Sequence, residues 1–265
     1  MSAPLSCENL TFSFDKKPMF NNINLTFKEG EFVGLIGANG AGKSTLLQLL
    51  LGLLKAKSGE VLLHGDSISK LKRREIAKQL AFVPQSIELP YAFTAQQLVA
   101  MGRNPYLGAF ELEGEADKKL IDKAMRQTDI SHLQHRLVNT LSGGEKQRVI
   151  IARALAQQSP TILLDEPIAS LDICHQLETM QLIQTLTEAG KTAITALHDL
   201  NLAARYCDRL ILIGKQENGM TGIISDGTPE QVLTDENLKK QFSIQAKIDL
   251  QNEKVVLSNI LPISS

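Results

Sequence analysis

The sequence holds 265 residues, 43% of them hydrophobic, with 28 basic against 29 acidic side chains and a formal charge of −1. A chain of this length buries a substantial core, suiting one large α/β domain or one domain with an inserted lobe, and its near-zero charge gives no overall field to draw a polyanion such as DNA. Cys7, Cys174 and Cys207 are odd in number, far apart and without a CxxC pair, so neither a disulfide framework nor a zinc knuckle is expected, and a reducing cytoplasm is the natural compartment.

The first third reads as short strands, "LSCENLTFSF", "INLTF", "EFVGLIG" and "GEVLLHG", separated by turn residues such as Lys28-Glu29-Gly30. Its start, "MSAPLSCENLTFSF", lacks a basic segment followed by an apolar block, and the greasiest run, Leu46 to Leu54, is short and broken by Gln48 and Gly52. No leader and no membrane-spanning segment are therefore expected in it. Between the third and fourth strands lies "GANGAGKS", which fits G-x-x-x-x-G-K-[ST] from Gly37 to Ser44, after a predicted strand and before a predicted helix. Glycines let successive backbone N–H groups point into one concavity, and a lysine there neutralises β and γ phosphates. Ser44 offers its hydroxyl to Mg²⁺. A glycine-rich turn ahead of a core helix would explain the glycines but not Lys43 and Ser44.

From Thr94 to about His135 the pattern turns helical, with "AQQLVAM" and "EADKKLIDKAMRQ" separated by "GRNPYLGAFELEG", so an α-rich lobe is inserted. After Leu141 helix and strand alternate: "GEKQRVIIARALAQ", "TILLDE", "DICHQLETMQLIQTLTEA", "KTAITALH", "DLNLAARYC" and "RLILIG". Alternation of this kind argues for a mostly parallel sheet with ligands at the carboxyl ends of its strands. The tail from Phe242 to Ser265 reads as a small hairpin.

"TILLDEP" places Asp165 at the end of a buried strand, where it suits a Mg²⁺ site, and Glu166 beside it. Neighbouring residues at a strand end point different ways, so one carboxylate can face a metal and the next an attacking water as general base. Taken alone, such a pair before Pro167 is more often a solvated strand exit or a helix cap than a catalytic pair, so its weight comes from the phosphate loop beside it. "LSGGEKQR" at Leu141 to Arg148 is how a capped helix begins, and it is also a second anion-receptive helix start in a chain that already has one.

The set Gly37 to Ser44, Gln85 in "FVPQ", "LSGGE" at 141 to 145, "LLDEP" at 163 to 167, "SLD" at 170 to 172 and His198 in "ALHDL" resembles the ATP-binding-cassette ATPases in order and separation. The resemblance covers roughly residues 5 to 240. It implies an α/β P-loop NTPase core with a mostly parallel sheet, an N-terminal antiparallel β subdomain and an inserted α-helical subdomain. The cassette would span 1–241, with the helical subdomain at roughly 87–158 and a short extension at 242–265. It implies ATP and Mg²⁺ as ligands, held by Gly37, Ala38, Asn39, Gly40, Ala41, Gly42, Lys43, Ser44 and Thr45, with Ser44, Gln85 and Asp165 toward the metal. Glu166, His198 and Gln85 would be catalytic. In that family two copies pair head to tail, so Ser142, Gly143 and Gly144 would meet the γ-phosphate bound by the second copy, and Asp172 would act across the seam.

Phe14 matches an aromatic that stacks on adenine, where tyrosine is usual; a core phenylalanine is its rival reading. Ile168 and Ala169 replace the common Thr followed by Ser or Asn, and Lys146 replaces a frequent arginine, departures that touch coupling rather than phosphate binding. "VAMGRNPYLGAF", "LHDLNLAARYCDRLILI" and "GTPEQVLTDENL" are most similar to ATPase subunits of bacterial importers for ferric siderophores, haem and cobalamin. In that subgroup Gly102, Arg103 and Pro105 lie in the lobe that receives a helix of the membrane permease. The implied partners are a second copy, integral membrane permease subunits and, indirectly, a periplasmic or surface substrate-binding protein. No nucleic acid is expected, and the place implied is the cytoplasmic face of the inner membrane. Importers of metals or oxyanions, and non-transport cassettes acting on nucleic acid or ribosomes, are the alternatives; the latter usually carry tandem cassettes or a long coiled coil.

Overall fold

The computed structural model describes residues 3–15, 17–85, 92–108, 110–169, 171–216, 219–251 and 254–263. Ser170 of the Ser-Leu-Asp run and Ala109 of the loop before the second lobe helix lie outside these described residues. In chain order the elements are β1 (Leu5–Phe14), β2 (Lys17–Phe27), β3 (Phe32–Ile36), α1 (Lys43–Leu50), β4 (Ser58–Leu63), β5 (Asp66–Ser67), α2 (Arg73–Gln79) and β6 (Leu80–Val83). There follow α3 (Ala95–Ala100), α4 (Glu115–Gln127), α5 (Gly143–Ala156), β7 (Thr161–Asp165), α6 (Ile173–Glu188) and β8 (Thr192–Ala196). The last are α7 (Leu200–Tyr206), β9 (Arg209–Lys215), β10 (Thr221–Gly227), α8 (Pro229–Val232), α9 (Asp235–Asn237), β11 (Ile244–Gln251) and β12 (Lys254–Pro262).

Two compact units divide the chain. The first, Met1–Leu71 with Leu186–Ser265, carries strands in the order β5-β4-β1-β2-β10-β9-β3-β8. Its N-terminal strands pair antiparallel, β1 with β2 and β4 and β4 with β5, whereas β3 runs parallel to both β8 and β9. All five residues of β3 and of β8 are buried, as continuous apolar runs covered on both faces require. Arg209 fastens the join between the two halves of this sheet: its guanidinium grips Asp226 on β10 through two bonds of 2.5 and 2.6 Å and donates to Thr26 O on β2 at 2.8 Å. The hairpin β11–β12 forms a separate antiparallel pair. Asn201 on α7 holds it, its amide exchanging two hydrogen bonds with the backbone of Leu257 at 3.1 and 2.7 Å.

The second unit, Lys72–Thr185, contains the parallel pair β6–β7 and the helices α2 to α5, with most of α6. Thr94 and Gln97 form a reciprocal cap at the start of α3, at 3.2 and 2.9 Å. Arg103 is buried between helices: it donates to Asp117 Oδ1 and to Ala156 O, each at 2.8 Å, and stacks at 4.0 Å over the Tyr106 ring. A Cβ on Gly102 would lie 2.3 Å from Arg153 O. These two residues of "VAMGRNPYLGAF" thus hold the lobe together from inside.

Candidate functional site

In the first unit, β3 delivers its chain into the loop Gly37 to Gly42, whose path needs glycine at two places. At Gly37 φ is +151° and an added Cβ would stand 2.2 Å from Ile213 O; at Gly42 φ is +97° and the Cβ would meet Met19 Cε at 2.6 Å and Phe20 Cζ at 2.8 Å. Ala38, Asn39 and Gly40 form the exposed rim, and Ala41 N closes the turn on Ala38 O at 3.0 Å. Lys43 is only 5% exposed, with its ammonium donating to Gly37 O at 2.8 Å and Ala38 O at 3.4 Å, inside the curve of the loop. Ser44 and Thr45 follow, half-buried, in the first turn of α1. That helix has no side-chain cap and no acidic residue in its first turn. Its leading N–H groups and the positive end of its dipole therefore face no acceptor supplied by a capping side chain.

His198 stands just beyond β8, exposed, where Leu197 N has made the last bond to Leu35 O at 3.0 Å; Asp199 then caps α7 by accepting from Leu202 N at 2.9 Å. Phe14 ends β1 half exposed, at 50%, and meets Phe12 edge to face with centroids 4.8 Å apart. It is not a core residue.

In the second unit, Asp165 closes β7 at 6% exposure. Glu166 comes next with a left-handed backbone, φ +50°, a conformation costly for a residue with a Cβ, and it swings the following side chain out of strand alternation. Gln85 Nε2 donates to Glu166 Oε2 at 2.7 Å, so the two residues, 81 positions apart, meet directly. This bond leaves the amide oxygen as the atom of Gln85 suited to a cation.

Ser142 is the N-cap of α5. Its Oγ accepts from Glu145 N at 3.3 Å, and Glu145 Oε2 accepts from Ser142 N at 2.7 Å. The same backbone N–H, followed by the Ser142 hydroxyl, holds the Glu145 carboxyl below the usual range. Gly143 is exposed at the helix tip, and a Cβ on Gly144 would crowd Leu171 Cδ2 at 3.3 Å. Asp172 caps α6, accepting from His175 N at 3.0 Å and lying 2.8 Å from its ring Nδ1. The sequence reading did not single out His175, although Asp followed three residues later by a polar partner at a helix start is the spacing of a reciprocal cap.

A family model described as ABC transporter matches residues 20–169. A hemin import ATP-binding protein of Pseudomonas fluorescens (strain Pf0-1) is 40% identical over 255 residues, covering 94% of this chain and 96% of that one. A cobalamin import ATP-binding protein of Halobacterium salinarum is 38% identical over 232 residues, 87% of this chain; the chain spans only 56% of that relative's length. Among solved structures, an inward-facing conformation of a "putative metal-chelate type ABC transporter" has a TM-score of 0.82 at 28% identity, and the match covers 98% of both chains. A family model that matches more than half of the residues, with relatives alike over nearly the whole length, makes this chain a member of the ABC transporter family, with the P-loop fold of its ATPases.

Proposed function

We propose that the chain is the ATP-hydrolysing subunit of a bacterial ABC importer that takes up a metal chelate of the ferric-siderophore, haem or cobalamin type. The observation that carries this reading is the glycine loop with the helix it opens: Lys43 lies buried in the loop's curve, and α1 has no side-chain cap and no acidic residue in its own first turn. The hemin and cobalamin relatives and the metal-chelate structure favour this cargo class over metal or oxyanion uptake.

The donor set suits Mg²⁺, because Ser44 and Asp165 offer hard oxygen ligands and the amide oxygen of Gln85 a third. When bound, that ion would neutralise phosphate charge. Lys43 and the N–H groups of residues 38–45 bind the triphosphate, and Phe14 stacks on the base. Glu166, its carboxylate oriented by Gln85, takes a proton from water as the oxygen attacks the γ-phosphorus; the bond to the β-phosphate oxygen breaks, giving ADP and inorganic phosphate. His198 steadies this group and the γ-phosphate.

Ser142 to Gly144 of a second copy complete the phosphate site, and Asp172 acts across that seam. Closing of the pair moves the permease, and loss of phosphate reopens it. The permease would also cover Phe110 and Leu112, which project almost fully into water on the lobe, while the alternating Glu111 and Glu113 suit cytoplasmic loops rich in Lys and Arg. Among the described residues no helix is long and apolar enough to cross a membrane, so the chain would reach the cytoplasmic face through that partner, and a substrate-binding protein would act on the other side.

The test is ATP turnover by the chain reconstituted with its permease, titrated with ferric siderophores, haem and cobalamin. Stimulation by one chelate is expected; no stimulation by any of them, with stimulation by an oxyanion instead, would overturn the cargo class.

A further inference from the structure

The stretch from Glu166 to Asp172 joins two carboxylates with separate duties in the function proposed above, and two of its residues, Ile168 and Ala169, have side chains that form no hydrogen bond. Its backbone supplies two turn bonds, Ala169 N to Glu166 O and Leu171 N to Ile168 O, both at 3.2 Å. Further support comes from the first turn of α6. Gln176 Nε2 donates to Ile168 O at 3.2 Å and to Leu171 O at 3.1 Å, so the two protons of one amide tie carbonyls three residues apart.

His175 engages both oxygens of Asp172: its backbone N–H reaches Oδ1 at 3.0 Å and its ring Nδ1 stands 2.8 Å from Oδ2. An ionised carboxylate only accepts, so Nδ1 carries the proton of that bond. The two contacts, backbone first and ring second, hold the Asp172 carboxyl below the usual carboxylate range. Leu171, buried, lies against the start of α5 at Gly144, which ties the braced stretch to the serine-glycine segment as well.

We propose that His175 and Gln176 are positioning residues: Gln176 anchors the chain at Ile168 and Leu171, and the His175 ring holds the Asp172 carboxylate in the orientation from which it meets the second copy. The proposal rests on the reading that Asp172 acts across the seam. Losing the ring leaves the backbone cap of α6 intact, so a structural defect and a positioning defect separate.

The experiment compares purified full-length His175→Ala, His175→Asn, His175→Gln, Gln176→Ala and Asp172→Ala with the unsubstituted chain. It measures phosphate release against ATP concentration, with melting temperature as the control. His175→Ala is expected to lower kcat about 3- to 10-fold with KM for ATP within about twofold, and to bring the Hill coefficient toward unity. Asn, whose amide nitrogen stands where Nδ1 stood, restores most of kcat, whereas Gln, one methylene longer, does not; Gln176→Ala behaves like His175→Ala. A normal kcat and Hill coefficient in His175→Ala beside an impaired Asp172→Ala would overturn the brace. A normal Asp172→Ala would instead remove the seam role on which the brace depends. Should His175→Ala melt well below the parent, the Asn and Gln variants decide, and equal activity in the two would overturn the proposal.

Discussion

The two helices that begin at the candidate phosphate-binding segments differ in how each treats its leading N–H groups. α1 starts from Gly42 in a left-handed conformation, with no side-chain cap and no acid in its first turn. α5 starts from Ser142 with a reciprocal cap, and its own carboxylate, Glu145, lies over the first turn. The first start has a dipole and backbone donors that no capping side chain consumes, so it suits a nucleotide by itself. The second is internally satisfied and carries a negative charge, held ionised by the Ser142 N–H. A lone nucleotide gains little there. The contrast favours a division in which α1 binds ATP within one chain and α5 joins only when a phosphate arrives already held by another.

The contrast can be broken at either end. The largest effect is expected from Glu166→Gln, which should slow phosphate release by about 10²- to 10⁴-fold while keeping ATP bound, because the proposed function gives binding to α1 and chemistry to the strand end. Turnover near that of the parent would remove Glu166 from the base role. Lys43→Ala should weaken ATP binding by about 1.5–3 kcal/mol, the range for a hydrogen bond to a charged group, read by titration calorimetry. Phe14→Ala should cost about 1–3 kcal/mol of ATP affinity if its half-exposed ring stacks on the base, and unchanged affinity would leave only the edge contact with Phe12.

Ser142→Ala sharpens the other side. Loss of the cap should cost about 1 kcal/mol of stability, lowering the melting temperature by about 2–4 °C, while ATP affinity of the single chain stays unchanged. The smallest effect is one of pH. Glu145 has a lowered folded-state pKa, so its stabilising contribution is fully present above its ordinary unfolded value and is lost as pH falls through the folded one. The melting temperatures of Glu145→Gln and the parent should therefore converge below the ordinary glutamate range and diverge above it.

Much of this was legible in residue order. α4 was read at its observed bounds, and β3, β7 and β8 follow from continuous apolar runs. α2, β6 and β10 escaped: "RREIAKQ" and "LAFV" are too short for periodicity to speak, and Gly222 and Gly227 break the pattern of β10. For the candidate site, spacing singles out the loop, the carboxylates and the serine-glycine start. It could not show the bond from Gln85 to Glu166, which depends on two segments 81 positions apart, nor the left-handed backbone at Glu166, since no local pattern marks a glutamate for that conformation. Gly102 and Arg103 drew notice as part of a lobe that meets a partner, whereas Arg103 spends its donors on Asp117 and Ala156 inside that lobe.

The most direct measurement of shared phosphate binding is the sedimentation of full-length Glu166→Gln with and without ATP, alone and with Ser142→Ala added. The account predicts single chains without nucleotide, pairs with ATP, and loss of those pairs when Ser142 is also replaced. Full ATP turnover by a native chain that stays single at every ATP concentration, unaffected by replacement of Ser142, would contradict it.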